Sequence, residues 1–149
     1  GYLFAYTGII SALVQGGLVG PMSRKWGEAV LVKHGFFTLG IGLLIIPFSD
    51  NLAILLIAMA VVAYGFSLCS PALASQLSLQ VSEEEQGTIQ GIGRSASTLA
   101  RVLGPAGAGY IFAFAGKDWP FYIGAALMAV ILLFSLAVGD KAAKAIKSP

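Results

Sequence analysis

A chain of 149 residues with 57% hydrophobic and only 11% charged residues carries too little charge to coat a soluble domain, of which about a quarter is normally charged. Its mean hydropathy of +0.85 makes lipid its solvent, so backbone polar groups must be satisfied within the membrane structure itself. A net charge of +2 is too small to point to a nucleic-acid partner, and one histidine and one cysteine provide no metal-ligand cluster and no internal disulfide.

Five apolar segments follow, each close to the roughly 20 residues that a hydrocarbon core demands. Helices are expected at about 2–20, 29–48, 52–77, 83–115 and 119–138, with a basic tail over 139–149. The fold class is therefore all-α, a polytopic membrane protein whose single domain fills 1–149. The apolar pattern is already running at Tyr2 with no signal peptide before it, so the sequence reads as a piece of a longer polypeptide.

The first segment holds Gln15 in its inner half and passes Gly17 and Gly20 into a polar link, Pro21 to Glu28. The second opens with Lys33 and His34, where interfacial solvation of the imidazole is the expectation. After Ser49-Asp50-Asn51 comes the third, with Tyr64, Ser67 and Ser70 on roughly one face and Pro71 as a kink. Cys69 in the same run reads as a buried structural thiol. A further polar link carries Glu83-Glu84-Glu85, and Ser82 with Glu85 forms a capping-box pattern that starts the fourth helix near Glu83. Asp118 before Trp119-Pro120 suits the start of the fifth helix, and Gly139 its end.

Lys and Arg set the orientation. With links alternating sides, Arg24, Lys25, Lys33, Arg94, Lys141, Lys144 and Lys147 collect on one side and only Lys117 on the other. The first and third links and the C-terminus are therefore expected in the cytoplasm.

The fourth segment, about 33 residues or roughly 50 Å, is longer than the roughly 30 Å core. Arg94 then falls at the inner interface, and Arg101 lies about 9 Å deeper. A guanidinium at that depth faces protein or an aqueous cavity. It either bonds the carbonyls or an acid of a neighbouring helix, or takes part in gating or anionic substrate contact. Gly87, Gly91, Ser95 and Thr98 make a small-residue stripe that Gly104, Gly107 and Ala108 continue, and Pro105 permits a kink.

Two stretches resemble the major facilitator superfamily, in particular its drug:proton antiporter branch. Gln15-Gly16-Gly17-Leu18-Val19-Gly20-Pro21-Met22-Ser23-Arg24-Lys25-Trp26-Gly27-Glu28 is similar to the link between that family's eighth and ninth helices. Gln86-Gly87-Thr88-Ile89-Gln90-Gly91, running on through Ala100-Arg101-Val102-Leu103-Gly104-Pro105, is similar to its eleventh helix. The resemblance implies that the five segments are helices eight to twelve of a twelve-helix fold built from two bundles. The seventh helix and the whole N-terminal bundle would lie outside this sequence.

What the resemblance implies about residues follows. The first, third and fourth segments would line the cavity, with Gln15, Tyr64, Ser67, Ser70 and Arg101 as substrate contacts. Gly17, Gly20, Arg24, Lys25 and Gly27 would belong to the second-half copy of the family's link motif, and Arg24, Lys25 and Arg94 would help close the cytoplasmic side. Gly104, Pro105 and Gly107 would belong to the counterpart of the antiporter signature. The Asp of the family's link motif is missing, since Pro21, Met22 and Ser23 occupy its region. No Asp or Glu falls inside a membrane segment, so a proton-coupling carboxylate is expected elsewhere in the polypeptide.

The function implied is secondary active transport by alternating access: proton-coupled efflux of a small amphipathic compound across a bacterial inner membrane. Metabolite uptake by the same fold, and a non-transporting scaffold or inactive fragment, are the alternatives. No cofactor or metal is expected. With no nucleophile–base pair, metal spacing or phosphate loop, no enzyme is expected either.

Overall fold

The computed structural model describes the backbone of residues 1–79 and 81–147 and the side chains of 1–78 and 81–137. Its elements in chain order are α1 (Tyr2–Leu13), a π-helical turn (Val14–Leu18), α2 (Val19–Trp26), α3 (Glu28–Ile45), a 3-10 turn (Ile46–Phe48), α4 (Leu52–Leu79), α5 (Gln86–Ala115) and α6 (Trp119–Lys147). There is no strand among the described residues. Five spans are long and apolar enough to cross a membrane: Tyr2–Trp26, Glu28–Phe48, Leu52–Ser78, Gln86–Ala115 and Trp119–Ala137.

Three boundaries differ from those expected. The link after the first segment shrinks to Gly27, because Pro21 to Trp26 are helical. Pro21 has no N–H to place, and it follows a wide turn where the helical hydrogen-bond ladder already changes register, so the helix passes through it. The break comes at Gly27, with φ 78° and ψ 159°, a backbone region that only glycine occupies without strain.

The fourth helix starts at Gln86 rather than near Glu83. Ser82 Oγ donates to Glu85 Oε2 at 3.1 Å, which occupies the carboxylate that a capping box would send back to the backbone. Glu83 to Glu85 instead form a turn, closed by the Glu85 and Gln86 N–H groups on the Ser82 carbonyl.

The last helix does not stop at Gly139 but continues to Lys147. Ala142, Ala143 and Ala145, spaced by lysines, are strong helix formers, and no proline intervenes before Pro149. Ser148 and Pro149 of the expected tail lie outside the described residues.

Where α4 begins, Asn51 Oδ1 accepts the Ile54 N–H at 2.9 Å, a side-chain cap. The centre of the molecule is the crossing of α3 on α4. A Cβ at Gly35 would sit 2.5 Å from Cys69 Sγ and 2.9 Å from the Gly65 carbonyl. One at Gly42 would sit 2.8 Å from Val62 N. Backbones therefore meet directly, as membrane helices do where small residues line the contact. Towards the start of α3 and the end of α4, Leu31, Val32 and Ala72 are buried together, with Val19, Met22 and Phe36 packed on them. On its other side α3 carries α6, where a Cβ at Gly40 would lie 3.4 Å from Met128 Cβ. Helix α5 buries none of its residues within this chain.

Candidate functional site

The residues expected to contact a solute fall into three places. The first is the π-helical turn. Gln15 projects from it exposed, beside Gly16 and Gly17, around which a Cβ would meet nothing within 4 Å. One wide turn inside a membrane helix frees backbone groups and is common at functional sites.

The second place is α4. Tyr64, Ser67 and Ser70 were expected on one face, but their surroundings differ. The Tyr64 hydroxyl lies 3.4 Å from His34 Nε2, and the rings meet edge to face at 6.0 Å and 89°. Tyr64 thus turns towards α3. Ser67 is wholly buried, and its Oγ has no hydrogen-bond partner among the described residues. Ser70 is exposed. A buried hydroxyl without a partner is costly, so Ser67 marks a polar point inside an apolar bundle.

The third place is α5. Arg94 and Arg101 are both exposed, and no hydrogen bond or ion pair engages the Arg101 side chain among the described residues. Arg94 shares one open face of α5 with Gln86, Gly87, Gln90 and Gly91. Gly87, Gly91, Gly104 and Gly107 all face open space, since a Cβ there would meet nothing within 4 Å. Helix α5 runs without a break past Pro105. Two of its hydroxyls are spent locally: Ser97 and Thr98 donate to the Gly93 and Arg94 carbonyls, each at 2.9 Å.

The basic pair of the first link is also unengaged by acids. Arg24 Nε donates to the Gly20 carbonyl at 3.4 Å, and neither Arg24 nor Lys25 forms an ion pair among the described residues. The carboxylate beside them, Glu28, bonds Ser23 and Ser75 instead. None of these three residues stood out in the sequence as a site. The one ion pair among the described residues, Lys117 to Asp118 at 2.8 Å, lies in the link between α5 and α6. Its hydrogen bond raises the Lys117 pKa.

The relatives of the chain agree with this architecture. The profile of the Major Facilitator Superfamily matches residues 1–149. The class C tetracycline resistance protein of Escherichia coli is 30% identical over 135 residues, covering 89% of this chain and 34% of that protein. The human synaptic vesicular amine transporter is 29% identical over 129 residues, covering 86% of this chain and 25% of its own length. The class B tetracycline resistance protein of Escherichia coli is 26% identical over 139 residues, covering 91% and 34%. The chain thus spans about a third or less of the length of these relatives. No solved structure matches it significantly. Five membrane-crossing helices, matched from first residue to last by one family profile, place the chain in the major facilitator superfamily.

Proposed function

We propose that this chain is the C-terminal five-helix part of a secondary active transporter that expels a small amphipathic compound in exchange for protons, by alternating access. The observation that carries the reading is family membership across the whole chain. Similarity to proteins named for tetracycline resistance and for vesicular amine transport points to an amphipathic solute. In this reading an N-terminal bundle of the same polypeptide faces α1, α4 and α5 and completes a central cavity. Gln15, Ser70 and Arg101 contact the solute, and Tyr64 does so from its place beside His34, whereas the Ser67 expected among these contacts is buried within the chain.

The proposed setting is a bacterial inner membrane with the C-terminus in the cytoplasm, on the distribution of Lys and Arg. Protons supply the driving force, and among the described residues the one Asp or Glu within a span is Glu28, at its first position. The glycines of α5 give it a surface free to slide against the opposing bundle. Arg101, unpaired among the described residues, is held in reserve for that bundle or for an anionic group of the solute.

The test uses inside-out vesicles that contain the polypeptide at its native length. A fluorescent amphipathic cation should accumulate inside when respiration acidifies the lumen, and should leak out when an uncoupler is added. Accumulation indifferent to the uncoupler would remove proton coupling, and accumulation equal to that of empty vesicles would remove transport.

A further inference from the structure

The first link holds a device that the basic pair does not explain. Glu28 is the first residue of α3, directly after the left-handed turn at Gly27. Its Oε1 accepts Ser23 Oγ from α2 at 2.7 Å and Ser75 Oγ from α4 at 3.1 Å. Three helices therefore converge on one carboxylate oxygen, although Ser75 is 47 residues away in sequence. All three side chains are part-buried. Hydrogen bonds to a carboxylate are about twice as strong as neutral ones, and the Ser23 bond is the shorter of the two.

We propose that Glu28 is a positioning residue that staples the inner ends of α2, α3 and α4 into one body. The basic pair takes no part in the staple. An anion satisfied by two neutral hydroxyls leaves Arg24 and Lys25 free of any acid within the chain's described residues. The closure of this half-bundle is thus built on an acid and two serines, in a link whose Asp position holds no carboxylate.

The staple works through what lies beside it. One turn further in, Leu31 and Val32 of α3 and Ala72 of α4 are buried together, with Val19 and Met22 of α2 packed against them. The next layer is the only thiol of the chain, Cys69, whose Sγ lies 3.7 Å from the Val32 carbonyl and is 4% exposed. If the inner ends part, the Leu31–Val32–Ala72 layer opens first and Cys69 follows.

That thiol reports the staple without any transported solute, so the outcome is independent of the transport reading. The assay is the rate at which N-ethylmaleimide labels Cys69 in membranes containing the polypeptide at its native length. Glu28→Gln and Ser75→Ala should each speed labelling about tenfold, the effect of losing one hydrogen bond to a charged group. Ser75→Thr, which keeps the hydroxyl, should label at the parent rate. Arg24→Gln with Lys25→Gln should also leave the rate unchanged. Should Glu28→Gln fail to insert, the Ser75→Ala and Ser75→Thr pair decides alone. Equal labelling of parent and Ser75→Ala, or opening caused by the Arg24 and Lys25 changes, overturns the proposal.

Discussion

Gly65→Ala is the substitution that probes the packing of this bundle most severely. A Cβ at position 65 would lie 2.6 Å from Leu39 N and 2.8 Å from the Gly35 carbonyl oxygen. Both are backbone atoms of α3, so no side chain can swing aside. Ordinary Cβ contacts begin near 3.4 Å, and α3 must therefore retreat by roughly 0.6–0.8 Å. A radial gap of that size forfeits about a quarter to a half of each contact well along the crossing. Overpacking of this kind costs about 1–3 kcal/mol. Lipid supplies no hydrophobic drive to compensate, because acyl chains are as apolar as the helix faces. The assay is reversible unfolding in bicelles or nanodiscs. Gly124→Ala serves as the control, since its Cβ would meet only the flexible end of Leu43 at 3.3 Å. A Gly65→Ala variant within about 0.5 kcal/mol of the parent, or one no worse than Gly124→Ala, would refute the reasoning.

Further expectations rest on single residues. Gly27→Ala forces a side chain into φ 78° and ψ 159° and should cost about 1–3 kcal/mol in the same unfolding assay; a neutral result would mean that the turn relaxes at no cost. Asn51→Ala removes the cap on the Ile54 N–H and should cost about 1 kcal/mol, with Asn51→Asp close to neutral. Loss of the same size in both would show that the side-chain oxygen is not the cap. Arg101→Leu should insert at the parent level yet abolish solute flux, while Arg101→Lys should keep part of it. Full flux in Arg101→Leu would assign Arg101 a packing role only.

The five spans were legible because hydropathy and length are local properties of the chain. Family membership was legible in the Gln15-to-Glu28 and Gln86-to-Pro105 stretches. What the sequence hid is how the faces meet. Helices that are apolar nearly all round carry no mark of which side touches which neighbour. The small-residue stripe of α5 drew attention, yet the backbones actually meet at Gly35, Gly42 and Gly65. Gly35 and Gly42, seven residues or two turns apart, were the available signal on α3. Tyr64 looked like a member of a serine face because spacing along α4 says nothing of His34, which is 30 residues away. Glu28 read as one more charge in a polar link, since its partner Ser75 is brought to it only by the antiparallel packing of α3 and α4. Helix ends were misplaced where a local rule met a competitor: a wide turn beside Pro21, a hydroxyl on Glu85, alanines after Gly139.

The most direct measurement follows protons and solute together. Proteoliposomes holding the native-length polypeptide and a trapped pH dye are loaded acidic inside, and a fluorescent amphipathic cation is added outside. The account predicts that cation uptake and proton release begin together and keep a fixed ratio as the gradient is varied. Uptake with no proton release, or release that continues unchanged without the cation, would contradict it.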